Sequence, residues 1–510
     1  MLRLTLTALL VCGTTLAWAE EPAKPEQNRP ARADAQTRGV LALLPGDATT
    51  EHAISINGQR LEYAARTGTF GLFDQDGERS AAIFYTAYTR KNADRTTRPL
   101  TFVFNGGPGA ASVYLHLGVA GPKVVDAPDL QSGAPQLREN PATWLRFTDL
   151  VFIDPVGTGW SRASKPDGNG KFWGVRQDAS AVAKVIALYV AQNSRNVSPK
   201  YILGESYGGF RAFKVARALL EEQGISIEGV VAVSPLLDGG LLFGASRYPF
   251  GAALQLPSLA AAELDRTGRF TPEALAAAER FALTDYLPTL AGAPPQGDVA
   301  QQFYARVAQL TGLPLDVVTR SQGFIRDTYV KNAMRSRGEV VSHYDAAFAA
   351  PDPFPESASA EGGDPVLDGY TQALGAAFVA YARDELRFHT DMTFMLLNRE
   401  VSGKWEWNSG HGGRTQASVT GDLRELMSLV AGFRVLVVHG RADIVTPYAA
   451  SRYVLDHLPP GLRERAALKT YAGGHMFYLQ PNIRAEFSAE AERFYRGGTG
   501  EGAPSVSRPR

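Results

Sequence analysis

The stretch Lys200-Tyr201-Ile202-Leu203-Gly204-Glu205-Ser206-Tyr207-Gly208-Gly209 decides how the rest of the chain is read. A short apolar run enters the pattern G-x-S-x-G, and a helical pattern over 210–223 follows, closed by Gly224. Strand, sharp turn and helix form the context in which such a serine becomes an exposed nucleophile. The turn strains the serine backbone, so its flanks must be small, and Gly204 and Gly208 are. The plainer alternative is a Gly-rich β–α connection that merely contains a serine. If Ser206 is a nucleophile, the chain must also supply a base, an orienting acid and donors for an oxyanion.

Outward from that stretch, strands alternate with helices. Buried-strand runs stand at 100–104, 150–153 and 230–233, and again at 435–438 and 467–470. Helical patterns cover 178–192, 423–430, 448–457 and 482–495. Continuous apolar runs between amphipathic helices predict a mostly parallel, doubly wound α/β sheet. Upstream, 53–56 and 61–64 flank Asn57-Gly58, a hairpin signal, and 82–88 reads as a further strand of an antiparallel edge. Residues 241–395 carry Ala, Leu and charges at helical spacing, with no clear buried-strand run and a Pro/Ser/Gly/acid loop at 351–364. They read as a helical cap inserted into the sheet domain. The expected organisation is core at 39–240, cap insertion at 241–395 and core again at 396–496.

The ends read differently. Residues 1–19 have Arg3, an apolar stretch and Ala17-Trp18-Ala19, the features of a signal peptide. Residues 20–38 read as a disordered lead-in and 497–510 as a flexible tail. The expected location is therefore exported, periplasmic or secreted. Cleavage after Ala19 would remove Cys12, the only cysteine, leaving no disulfide, no thiol nucleophile and no cysteine-bound metal. At 510 residues and 45% apolar content, core packing can supply the stability instead. Lys+Arg and Asp+Glu both number 52, so no global field points to nucleic acid or a membrane surface. No membrane span is expected, the oligomeric state is left open, and no cofactor or metal is expected, because no His/Asp/Glu cluster has ligand spacing.

Among eight histidines, His475 lies in Ala472-Gly473-Gly474-His475-Met476, just past the last strand, and is the candidate base. His439 ends the preceding strand and reads as structural. His52, His116, His343, His389, His411 and His457 lack such a setting. The candidate acid is Asp443, which leaves strand 435–438 through His439-Gly440-Arg441-Ala442, and the order Ser, Asp, His along the chain is consistent. An Asx-turn or helix cap is the competing reading for Asp443. Asn105-Gly106-Gly107-Pro108-Gly109 follows the 100–104 strand. Its Gly107 N–H, with that of Tyr207, is the candidate oxyanion hole. Pro108 removes a donor and no G-x-x-x-x-G-K-[ST] occurs, which argues against a phosphate loop.

Together these residues resemble the serine carboxypeptidase family (peptidase S10), in the form of a bacterial-type exported member. The matches are Asn105 to Gly109, Asn140-Pro141-Ala142-Thr143-Trp144 leading to Pro155-Val156-Gly157-Thr158-Gly159, Gly204 to Gly209, Asp443, and Gly474-His475-Met476. The resemblance implies an α/β-hydrolase fold and release of C-terminal residues from a peptide with a free C-terminus. It implies that Asn105, Gly106 and Glu205 bind the terminal carboxylate and that Met476 lines the pocket for the leaving residue. Two carboxyl groups share a hydrogen bond only if one is protonated, so Glu205 needs a raised pKa. Departures are Val119 where a second glutamate is usual, Val103 for a tryptophan, Ala110 for a cysteine and Arg441 for an aspartate. The alternatives are an esterase, acyltransferase or proline iminopeptidase on the same fold, or a binding protein on an inactive one.

Overall fold

Asn57 and Gly58 both adopt positive φ, 51° and 77°, which two-residue hairpin turns require. They join Ala48–Ile56 to Gln59–Phe73, and Arg79–Arg90 continues the antiparallel edge. The computed structural model describes residues 39–127, 135–407 and 413–497. The signal peptide, the lead-in, His411 and all of the tail but Gly497 lie outside the described residues.

The edge is one side of a ten-stranded sheet among the described residues. After Arg79–Arg90 the order is Asp149–Ile153, Leu100–Phe104, Lys200–Glu205, Gly229–Val233, Arg434–Gly440 and Ala466–Tyr471. These six strands are parallel to one another. The chain leaves Leu100–Phe104 to one side and returns on its other side as Lys200–Glu205. Strand order therefore reverses between those two, and the crevice beyond their carboxyl ends is where open α/β sheets bind ligands.

Alternation along the strands feeds two cores. Ile202, Val230, Ala232, Val435 and Val437 pack with Val182 and Ile186 of helix Val175–Gln192 and Phe213 and Leu219 of helix Tyr207–Gln223. Leu203, Val231, Val233, Leu436 and Val438 face the other way, onto Phe487, Ala491 and Phe494 of helix Pro481–Tyr495. Helices thus cover both faces, and the fold is α/β with a mostly parallel mixed sheet.

Between Val233 and Arg434 stand helices such as Pro249–Arg266, Pro272–Phe281, Gly297–Thr311 and Leu367–Asp384. The first three belong with a core of their own, built on Leu256, Tyr286, Phe303, Val307 and Tyr329, which also takes in Ala442 and Ile444 from the sheet domain. This region contains a short antiparallel hairpin, Glu339–Val341 with Ala349–Pro351, which the sequence pattern did not reveal. Strands of three residues are too short to establish a period of two.

Several boundaries also differ from expectation. The elbow helix starts at Tyr207, three residues early, because Tyr207-Gly208-Gly209 lack helix-forming character but follow the turn directly. The Asp149–Ile153 strand begins on a buried aspartate, whose oxygens take Arg98 Nε and Arg195 Nη1, both at 2.6 Å.

Phe487 is fully buried at the centre of the helix–sheet core. Phe487→Ala should cost about 3–5 kcal/mol of unfolding free energy, read from urea denaturation.

Candidate active site

Ser206 holds φ 59° and ψ −125°, a strained conformation for a residue with a Cβ. It is pinned from both sides: its N–H donates to Val233 O at 2.9 Å, and its carbonyl accepts from Leu236 N at 3.1 Å. The flanking glycines are sterically required. A Cβ on Gly204 would fall 2.1 Å from Gly208 O, and one on Gly208 would fall 2.6 Å from Phe104 O. The strand before the turn and the helix after it therefore touch through bare backbone, and the hydroxyl stands at the helix N-terminus.

His475 is buried beside the same cavity and its Nδ1 lies 2.7 Å from Asp443 Oδ2. A carboxylate only accepts, so Nδ1 carries the proton and Nε2 is left as the acceptor. Asp443 is fully buried with its other contacts filled. Oδ1 accepts from Val445 N at 2.8 Å and Thr446 N at 3.0 Å, and Thr446 Oγ1 donates to Oδ2 at 2.7 Å. The Asx-turn and the contact with histidine thus coexist in one residue. Burial alone would depress the His475 pKa. The Asp443 charge and hydrogen bond, with Glu205 and Asp364 farther off, outweigh it and hold the imidazole above its ordinary value. The His475 N–H is taken by Tyr344 O, and its carbonyl by Ser234 Oγ at 3.0 Å. His439 is also buried, but its Nε2 faces Ser451 Oγ at 2.9 Å, away from the cavity lining.

The Asn105–Gly109 loop presses on the elbow. A Cβ on Gly106 would fall 2.5 Å from Tyr207 N and 2.7 Å from Gly208 N. Gly107 has φ 99°, which favours glycine. Among the described residues neither Gly107 N–H nor Tyr207 N–H donates to a protein acceptor. Both residues line the cavity beside Ser206, so two backbone donors without a protein acceptor stand at its wall.

Glu205 points to the other side of the elbow and is 4% exposed. Asn105 Nδ2 donates to its Oε2, and Tyr478 OH donates to Oε1 at 2.5 Å. Burial pushes the carboxyl up to about 7, against the lowering effects of His475, Tyr478 and Asn105. Asn105 is itself fixed: its Oδ1 accepts from Leu115 N at 3.1 Å, and its carbonyl accepts from Arg211, whose Nε binds buried Asp178 at 2.6 Å. Val119 is fully buried and lies outside the cavity lining.

The cavity measures about 270 Å³. Asn105, Gly106, Gly107, Glu205, Ser206, Tyr207, His475 and Met476 all line it, and Asp443 stands behind His475. The sequence reading missed Tyr478, Thr446, Tyr114 and Tyr344. Tyr478 and Thr446 follow His475 and Asp443 by three residues each, a proximity that could have raised both. Nothing in the sequence signals Tyr344, which comes from the inserted region. Among the described residues no group of histidine, cysteine and acids could hold a metal ion, and no helix is long and apolar enough to cross a membrane.

The sheet order and the elbow define an α/β-hydrolase. Within it, residues 62–239 match the family model described as serine carboxypeptidase, Peptidase_S10. The chain is similar to that family over a segment that holds the Asn105 loop and Ser206 and stops short of Asp443 and His475. Serine carboxypeptidase-like 44 of Arabidopsis thaliana is 25% identical over 181 residues, 33% of this chain and 35% of the relative. Serine carboxypeptidase-like 51 of the same plant is 32% identical over 128 residues, 24% of this chain and 25% of the relative. The match thus spans about a third and a quarter of these relatives' lengths. The solved structure of Kex1(Δ)p, a prohormone-processing carboxypeptidase from Saccharomyces cerevisiae, is similar with a TM-score of 0.55 and 16% identity, over 85% of this chain and 91% of that one. It shares the fold.

The buried Glu205 sets a stability prediction. Below its ordinary pKa of 4.5 it is neutral folded or unfolded; between 4.5 and about 7 only the unfolded chain ionises, so stability falls, and above 7 the loss is complete. Glu205→Gln carries no charge and should escape that loss. Relative to the parent, the variant should gain about 1–3 kcal/mol of stability (a larger free energy of unfolding) at pH 8 compared with pH 5, by urea denaturation at both.

Proposed function

We propose that the protein is a serine-type carboxypeptidase that releases C-terminal residues from peptides. Kinship with a hydrolase family and the arrangement around Ser206 both support this reading. Ser206 Oγ attacks the last peptide carbonyl while His475 Nε2 takes its proton, and Asp443 stabilises the resulting imidazolium. The N–H groups of Gly107 and Tyr207 hold the oxyanion. His475 then returns the proton to the leaving amino acid, and water resolves the acyl-enzyme by the same route.

The observation that carries the choice of carboxypeptidase is the buried Glu205 carboxyl beside the nucleophile. An esterase has no need of an acid that stays protonated near neutrality. An exopeptidase does, because a protonated Glu205 can donate to the substrate's terminal carboxylate while Asn105 and the Gly106 backbone complete the cradle. With Val119 in place of a second glutamate, that proton comes from Glu205 alone, and Tyr478 orients it. Met476 lies along the leaving residue. Export, to periplasm or medium, is proposed on the composition of residues 1–19; the bacterial-type assignment rests on the absence of a cysteine after Cys12, whereas the relatives found are plant and fungal.

N-blocked dipeptides with a free C-terminus should be cleaved, C-terminally amidated versions should not, and Ser206→Ala should lower kcat by at least about 10⁴-fold. Cleavage confined to peptides with a free N-terminal proline would overturn the proposal.

The active form requires neutral His475 and protonated Glu205. The kcat/KM profile should therefore be bell-shaped, rising as His475 loses its proton and falling as Glu205 loses its own near pH 7. Tyr478→Phe removes a donor to the ionised carboxylate, so the alkaline limb should move to higher pH.

A further inference from the structure

The sheet divides the cavity. Tyr114 and Met476 belong to the core on the Glu205 side, whereas Tyr207 and Leu236, with Phe243 and Trp407 packed on them, belong to the core on the opposite side. The carboxylate cradle occupies the first side, so the acyl portion of a bound substrate extends over the second. At these four residues that second side is aromatic and aliphatic. Arg414 lines it, its guanidinium 4.5 Å from the centre of the Phe243 ring. Among the described lining residues Arg414 is the one lysine or arginine.

Arg414 is exposed, and among the described residues its guanidinium has neither a carboxylate within ion-pair distance nor a protein acceptor for a hydrogen bond. Its backbone is nonetheless fixed. It opens the short helix Arg414–Gln416, and a Cβ on Gly239 would fall 1.9 Å from its carbonyl oxygen. Gly239 N also donates to Ala417 O at 2.7 Å. Stacking on Phe243 leaves the guanidinium edge open, and that planar fork matches a carboxylate.

We propose that Arg414 is a specificity-determining residue that binds an acidic side chain on the residue preceding the one released. The inference rests on the carboxypeptidase reading for the orientation of the peptide. The aromatic wall packs the methylene stem of such a side chain while Arg414 takes its carboxylate. The chemistry that recognises the substrate is thus an anionic acyl-side residue, glutamate or aspartate, followed by a free C-terminal amino acid.

The test compares N-blocked dipeptides that release the same amino acid and differ only in Glu or Gln at the preceding position. The parent should favour Glu in kcat/KM, and Arg414→Gln should lower the Glu/Gln ratio by about 2- to 5-fold, as loss of an ion pair at an exposed guanidinium implies. Arg414→Glu should shift preference toward a preceding lysine. A ratio that neither variant moves overturns the inference. p-Nitrophenyl esters of glutarate and of butyrate report the acyl side without a released residue. If Arg414→Gln lowers the glutarate/butyrate ratio while no dipeptide is cleaved, the carboxypeptidase reading falls and the acyl-side assignment stands. If dipeptides are cleaved and neither ratio changes, the reverse holds.

Discussion

The site depends on how closely two backbones approach each other. The Asn105 loop and the elbow meet with no side chain between them, since a Cβ on Gly106 would fall 2.5 Å from Tyr207 N. That approach puts the N–H groups of Gly107 and Tyr207 beside one cavity and lets Asn105 reach Glu205. Strand pairing brings it about. Leu100–Phe104 and Lys200–Glu205 are neighbours with Phe104 opposite Gly204, so their carboxyl ends emerge side by side. Strain at Ser206 is tolerated because the Val233 and Leu236 contacts leave its backbone no easier path.

A second constraint runs through buried polar groups. Asp178 holds Arg211, Arg211 holds the Asn105 carbonyl, and Asn105 holds Glu205, which Tyr478 grips from the other side. Each member is buried, so each link left unmade would cost a desolvation penalty, and the chain of contacts specifies one geometry. Arg211 also lies over the Tyr207 ring, 5.0 Å from its centre. The side chain that orients Asn105 therefore also touches the helix start that presents Ser206.

Much of this was legible in the sequence because it is local. The elbow, the Gly-rich loop and the parallel strands each carry a period or a spacing within a few residues, and buried-strand runs such as Val230 to Val233 read unambiguously. What stayed hidden is nonlocal or too short. The hairpin at Glu339–Val341 is below the length at which alternation registers, and the role of Tyr344 depends on a loop folding back across more than a hundred residues. Tyr478 was passed over for a different reason: as an apolar-looking residue before the last helix it reads as core, and its ring is indeed wholly buried. Only the position of its hydroxyl against Glu205 separates it from a packing residue. Asp443 shows the reverse, since its Asx-turn and its histidine contact were weighed as alternatives and are two halves of one environment.

The segment between the Gly229–Val233 and Arg434–Gly440 strands takes part in that environment. Ala442 and Ile444, on either side of Asp443, are buried in its apolar core, Gln255 Nε2 donates to Ile444 O at 3.2 Å, and Ala346 N donates to Ala442 O at 2.9 Å. On the histidine side, Gly474 lies so close to the Tyr344 carbonyl that a Cβ would fall 2.0 Å from it. Asp443 and His475 are thus held by contacts from the sheet and from the segment between the Gly229–Val233 and Arg434–Gly440 strands. Displacing that segment would expose Ala442 and Ile444 and free the loops that set the Nδ1–Oδ2 distance. The Phe243 and Arg414 part of the cavity wall takes no part in these contacts.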